Sequence, residues 1–327
     1  MIINSPRGVA VLAFLRFLKR WWHMRDPEIR WIVEVGVEEI PEEANPVPER
    51  MNPPYGFVSK YIDQMSYLLE DPDLVLTLMR SAEGKINRRM RLHGLRGEVK
   101  LLVTQPEIAQ GPYLIIMNGS RFDAWLLTYY GVIVAAKLDE AGVGTTYGLQ
   151  ALRFLDEWSG EVEFTAIKLK ERLYNWGPEF SVYIHGIDRQ HHYLVVTLNN
   201  LYRYLLAGSP RKVIDNTLDA MADYTKFHFR SEERLFDKYG YPRAEGHRRQ
   251  HQLFVGKVTD FMEKYQAGEQ KLTLDVLHFL ADWVRNHILT SDHDYGEWFY
   301  RHNVPIVDEH LVRECREARK RLGLPLQ

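Results

Sequence analysis

Histidine is unevenly spread along this chain of 327 residues. Of its 13 histidines, only His23 and His93 precede residue 185. Metal or proton chemistry is therefore expected in the C-terminal half. There the imidazoles fall at helical intervals with carboxylates. His228 and Glu232 are four apart, as are His247 and His251. Residues four apart project from one helix face and can converge on a common point. His191 stands on an earlier helical run. His287 and Asp292 are five apart, which in a regular helix turns them about 140° from each other at ~100° per residue. A π-type bulge or a loosened helix end is needed to bring Asp292 inward. Each pair alone is weak, because a lone His-x-x-x-Glu is more often a surface pair and a lone His-x-x-x-His is nonspecific. One set on each helix, in order, carries more. Five imidazoles and two carboxylates exceed what a tetrahedral zinc takes. They suit two octahedral-leaning ions bridged by carboxylates, and without thiolate they favour iron or manganese over copper(I).

Such a donor set needs long helices to hold it. From about Trp176 onward the pattern predicts helices over roughly 188–206, 213–239, 243–267 and 273–291, broken at Gly208-Ser209-Pro210, Gly240-Tyr241-Pro242 and Gly268. Four helices with short connections predict an up-down-up-down bundle. A final amphipathic helix, Val307 to Leu322, carries Cys315, the single cysteine. One cysteine excludes an intrachain disulfide, a Cys-based zinc finger and a Cys-ligated cluster. His185 is placed in the loop entering the bundle, and His192 is expected to point away from His191 into solvent. His278, His293, His302 and His310 are assigned no metal role. Glu233 reads as a solvated acid or an outer partner of a ligand.

The first half reads differently. Length suggests about two domains. A net charge of −2 with 45% hydrophobic and 26% charged residues describes a globular chain, with no bulk charge for nucleic acid. Residues 8–24 are apolar but interrupted by Arg16, Lys19 and Arg20. They make neither a transmembrane span nor a signal peptide. A helix docked on protein is favoured over peripheral membrane contact, and a cytoplasmic location is expected. Residues 31–37 suggest a short strand. Residues 39–54, with five prolines, read as an extended linker. Residues 55–92 look helical, with a second run from Leu74 to Met90. Residues 97–140 read as short strands, GEVKLLVTQ the first of them, with Asn118-Gly119 as a hairpin turn. A helix from Tyr147 to Trp158, a strand over 161–167 and a connecting helix over 168–176 follow. Asp123, Asp139 and Glu140 read as solvated turn carboxylates. The chain is thus multidomain: an amphipathic helix and linker (1–54), a small α+β domain (55–172), a four-helix bundle (173–300) and a C-terminal helix (301–327).

The motifs resemble those of hemerythrin, specifically its bacterial and archaeal forms. They are W-x-x-x-F-S-V from Trp176, I-D-x-Q-H from Ile187 to His191, H-F-x-x-E-E from His228 to Glu233, H-x-x-x-H from His247 to His251, and W-x-x-x-H-I-x-x-x-D from Trp283 to Asp292. The resemblance implies a non-haem di-iron centre with an oxo or hydroxo bridge. His247, His251 and His287 would hold one iron, His191 and His228 the other, with Glu232 and Asp292 bridging. The iron with two histidines would keep an open position for reversible O2 binding. Leu194, Phe229, Trp283, Val284 and Ile288 are candidate walls of the O2 pocket, although for any single one plain core is the favoured reading. The implied function is an oxygen carrier, store or sensor and not an enzyme. The alternatives are a di-iron enzyme or sensor for peroxide or nitric oxide, or an iron-responsive adaptor. In the first half, residues 130–164 are loosely similar to the PATAN modules of prokaryotic signalling proteins. The presence of an appended α+β domain, by domain organisation alone, points to sensing or delivery to a protein partner.

Overall fold

Near-continuous apolar runs such as YLIIM and VIVAA are characteristic of strands buried on both faces, and the sheet they build is covered on both sides. The structure, a computed structural model, describes residues 39–70, 82–93 and 98–326. Among the described residues there are six antiparallel strands: β1 (Ala82–His93), β2 (Pro112–Asn118), β3 (Phe122–Tyr129), β4 (Val132–Glu140), β5 (Gly144–Tyr147) and β6 (Ser159–Leu169). Their order is β1-β6-β2-β3-β4-β5. Asn118 pairs with Asp123 across the expected β2–β3 hairpin. Tyr130 and Gly131, with φ of 48° and 76°, make the tight turn between β3 and β4.

One sheet face, with Ile115, Met117, Leu126 and Phe164, packs beneath the short helix α2 (Glu98–Val103) and α3 (Gly148–Glu157). A further short helix, α1 (Ile62–Met65), leads into a 3₁₀ turn over Ser66–Leu69. The opposite face, with Leu114, Leu127, Tyr129, Val134 and Ile167, shares one continuous core with the helical half.

That half is an antiparallel bundle of α4 (His185–Leu206), α5 (Arg211–Tyr239), α6 (Ala244–Ala267) and α7 (Leu274–His287). Gly240 and Gly268 end α5 and α6 in the left-handed conformation, with φ of 68° and 77°. Thr273 Oγ1 caps α7 by accepting from the Val276 amide at 3.3 Å. α7 does not stop at residue 291. It widens into a π-turn over Ile288–Asp292 and continues as α8 (His293–Arg301). A last helix, α9 (Glu309–Arg321), is capped by Asp308 Oδ1, which accepts from the His310 amide at 2.7 Å.

Four local expectations are corrected. Residues 82–93 form β1, not the end of a helix; pairing with β6 along their whole length overrides the helical spacing. GEVKLLVTQ forms α2, because Val99, Leu102 and Val103 lie on one helical face and bury together. Residues 170–176 are not helical. Asn199 of α4 takes their backbone instead, accepting from the Leu173 amide at 3.0 Å and donating to the Tyr174 carbonyl at 2.9 Å. His185 is the first residue of α4, with Nε2 2.8 Å from Asp308 Oδ2. The proline-rich segment 39–54 has no regular helix, but it is fastened along α4. Asn200 donates to Glu42 O at 2.9 Å, and Arg203 donates to Ala44 O at 2.8 Å. The amphipathic stretch 8–24, the strand at 31–37 and residues 74–81 of the second helical run lie outside the described residues. Among the described residues no helix is long and apolar enough to cross a membrane.

Candidate metal centre

The bundle brings seven side chains from four helices to one buried point. α4 supplies His191, α5 His228 and Glu232, α6 His247 and His251, and α7 with its π-turn His287 and Asp292. The π-turn turns Asp292 inward despite its five-residue spacing from His287. The donor atoms form two groups, each within a 4.8 Å span: His191, His228, Glu232 and Asp292, and then His247, His251, His287, Glu232 and Asp292. Both carboxylates belong to both groups, and each divides its oxygens between them. Glu232 Oε1 lies 3.6 Å from His191 Nε2 and 3.7 Å from His228 Nε2. Its Oε2 lies 3.5 Å from His247 and 3.2 Å from His251. Asp292 Oδ2 lies 3.2 Å from His191, while Oδ1 lies 3.3 Å from His247 and 3.1 Å from His287.

These contacts leave much unsatisfied. Both Asp292 oxygens, Glu232 Oε2, His247 Nε2 and both His191 nitrogens are buried without a hydrogen bond. Orphaned polar atoms in such number are costly in a closed core. His251 Nε2 and His287 Nε2 face each other at 3.1 Å, aiming their lone pairs at the same place. The donor set therefore fits a pair of cations. Among themselves the seven side chains divide their charge. Burial works against a charged His191 and a charged His247, but the carboxylates beside them raise these to about 9 and about 10. Burial lowers His228 to about 4 and His287 to about 3. Burial opposes ionisation of Glu232, yet the surrounding imidazoles hold it well below the usual range. Asp292 is likewise opposed by burial and by Glu232, and the imidazoles hold it low as well.

A second layer fixes which nitrogen points inward. His228 Nδ1 donates to Gln190 Oε1 at 3.1 Å, and His251 Nδ1 donates to Glu233 Oε1 at 3.1 Å. Each leaves Nε2 for the centre. Tyr295 donates its hydroxyl to Glu232 Oε1 at 2.7 Å. Sequence reasoning missed this residue, and no spacing signal pointed to it. Gln190 sat within a quoted motif without a role.

The five candidate pocket residues divide. Leu194 and Val284 line a cavity of about 30 Å³, together with Leu198, Met221, Phe254 and Leu280. It lies about one turn along the bundle from the donors. Phe229, Trp283 and Ile288 do not line it. Phe229 stacks on the His251 ring at 3.7 Å and Trp283 on the His287 ring at 4.4 Å. Ile288 is buried in the core shared with the sheet. His192 is half-buried against Trp176, 5.5 Å between ring centres, and not exposed as expected. The indole claims its ring.

Comparison with known proteins follows this geometry. A family model described as the Hemerythrin HHE cation binding domain matches residues 182–299. A Bacteriohemerythrin of Stenotrophomonas maltophilia (strain R551-3) is 30% identical over 135 residues, covering 41% of this chain and 87% of that protein. A Bacteriohemerythrin of Methylococcus capsulatus is 35% identical over 125 residues, covering 38% of this chain and 95% of that protein. A crystal structure of wild-type hemerythrin is 35% identical and covers 38% of this chain and 96% of that one, with a TM-score of 0.37.

Proposed function

Because the chain belongs to the hemerythrin family, we propose that its bundle holds two non-haem irons and binds O2 reversibly, as a carrier, store or sensor and not as an enzyme. The observation that carries this reading is the two-lobed donor set, in which Glu232 and Asp292 each present one oxygen to either group. When bound, the metal pair supplies electrons and a free coordination position for O2. His247, His251 and His287 would hold one metal. His191 and His228 would hold the other, and with one imidazole fewer that side keeps the free position. Glu232 and Asp292 would set the spacing of the pair.

The remaining residues act on orientation and water. Gln190 and Glu233 keep two imidazoles in the tautomer that faces inward. Phe229 and Trp283 clamp two rings by stacking. The cavity beside Leu194 and Val284 admits a molecule of about water size and is walled mainly by apolar groups. A dry wall slows loss of a polarised ligand, since charge separation is costly there. Its polar residues are few. Lys226 turns its ammonium to Asp223 at 2.7 Å, leaving its stem along the wall.

The core shared by α4 and the sheet favours sensing, or delivery to a protein partner of the α+β half, over storage. α4 both carries His191 and packs on that sheet. The test is an optical spectrum of the anaerobically reduced, iron-loaded chain before and after air, and again after deoxygenation. A band that appears and then vanishes supports reversible binding, with elemental analysis giving two irons per chain. Irreversible oxidation with turnover of added peroxide or nitric oxide would replace it with the enzyme reading. Zinc alone, or unchanged iron in the double variant His247→Ala, His251→Ala, would overturn the di-iron assignment.

A further inference from the structure

The π-turn that aims Asp292 inward creates a backbone debt within the helix. In a regular helix the His293 amide would bond to the Leu289 carbonyl, four residues back. Here it reaches Ile288 O and Thr290 O instead, so Leu289 loses its ordinary donor. That carbonyl is met from outside the bundle. Arg319, on α9, donates from Nη2 to Leu289 O at 3.1 Å. The same guanidinium donates from Nη1 to Glu179 O at 3.2 Å and from Nε and Nη2 to Pro325 O at 3.1 and 2.9 Å. Arg319 is 1% exposed. A buried guanidinium cannot shed its charge and needs every donor matched. Here it is satisfied by carbonyls, one of which the π-turn has left without its usual helical donor.

We propose that Arg319 is a positioning residue for the metal centre, and that α9 thereby belongs to the site although it lies beyond the matched residues 182–299. α9 holds the helix beyond the turn as well. Arg316 grips Glu297 with two bonds of 3.2 and 2.7 Å, and Tyr183 donates to Glu297 at 2.5 Å. Arg316 acts past the turn, whereas Arg319 acts on it.

The inference rests on the reading of a buried iron centre. A chain that takes up no iron fails that reading, whereas iron held independently of Arg319 fails this one alone. Full-length Arg319→Met keeps the side-chain bulk and removes the donors. It is compared with the unmodified chain and with Arg316→Ala, which leaves Leu289 O untouched. The readouts are iron per chain, the rate of iron loss to an external chelator, and the Mössbauer spectrum of the loaded protein. Arg319→Met is expected to lose iron at least tenfold faster and to show changed quadrupole splitting, with Arg316→Ala within about twofold of the unmodified chain. Parent-like iron retention and spectrum in folded Arg319→Met would overturn the proposal. A second measurement needs no variant, because coupling between two sites is reciprocal. Removing iron should speed hydrogen exchange in α9 as well as in residues 288–294 by several-fold. Exchange in α9 unchanged by iron removal would equally overturn it.

Discussion

Tyr295 separates what a linear pattern can show from what it cannot. Six of the seven donors were legible because they sit in pairs, each on one helix at a fixed interval, and His191 through the motif that ends on it. Tyr295 reaches Glu232 from a residue 63 positions away on another helix, and nothing in the sequence spacing encodes that meeting. Removing its hydroxyl in Tyr295→Phe leaves the ring packed but takes a donor from a buried carboxylate. The expected cost is about 1–3 kcal/mol in urea unfolding, with iron still bound. Loss of the metal on this change would make Tyr295 more than a support. Cys315 illustrates the converse, a reactive residue type made inert by its place. Burial pushes its thiol from an ordinary value near 9 up to about 12. The folded chain therefore holds a proton that the unfolded chain has shed between those values. Stability is untouched by this group below about pH 9 and falls as pH rises from there towards 12. At about pH 9, where a thiol of ordinary pKa is half ionised, iodoacetamide should spare the native protein and label it in urea.

At the scale of elements, helix existence was legible and local detour was not fully so. The His287–Asp292 spacing called for either a π-type bulge or a loosened helix end, and the chain takes the first. The site of β1 was hidden because its partner β6 lies about 70 residues on, and its own sequence, AEGKINRRMRLH, holds too few apolar residues to mark a strand period. The helix that leaves the π-turn is placed by a close backbone approach. A Cβ at Gly296 would meet the Val182 carbonyl oxygen at 2.8 Å, and backbone cannot swing aside as a side-chain tip can. Gly296→Ala should cost about 1–3 kcal/mol as overpacking. Because residue 296 lies about one turn past Asp292, it should also speed iron loss to a chelator. Gly240→Ala is the contrast. Nothing lies within 4 Å of its Cβ, so only the strain of a φ of 68° remains. A cost of about 1–2 kcal/mol with unchanged iron retention is expected. Equal iron loss in the two variants would show that any weakening of the bundle releases the metal.

The whole molecule joins two halves that the sequence seemed to separate. The histidine asymmetry marks where the helical half begins, and residues 173–300 could be read as a bundle without knowing what covers it. What the strands could not reveal was which element buries their second face. Leu126 and Leu127 are adjacent on β3 and both fully buried. Leu126 points into the core under α2 and α3, while Leu127 joins the core that includes Leu194 and Leu198 of α4. Those two leucines line the cavity that begins about one turn along α4 from His191. A void left at Leu127 can thus relax into the helix that carries a metal donor, whereas a void at Leu126 relaxes into α2 and α3. Leu127→Ala and Leu126→Ala should each cost about 2–5 kcal/mol. Only Leu127→Ala should also speed iron loss, measured well below either unfolding transition. Matched iron-loss rates at matched stability would mean that the shared core ties the halves together mechanically without carrying the state of the metal centre to the sheet, and the sensing reading would lose its physical basis.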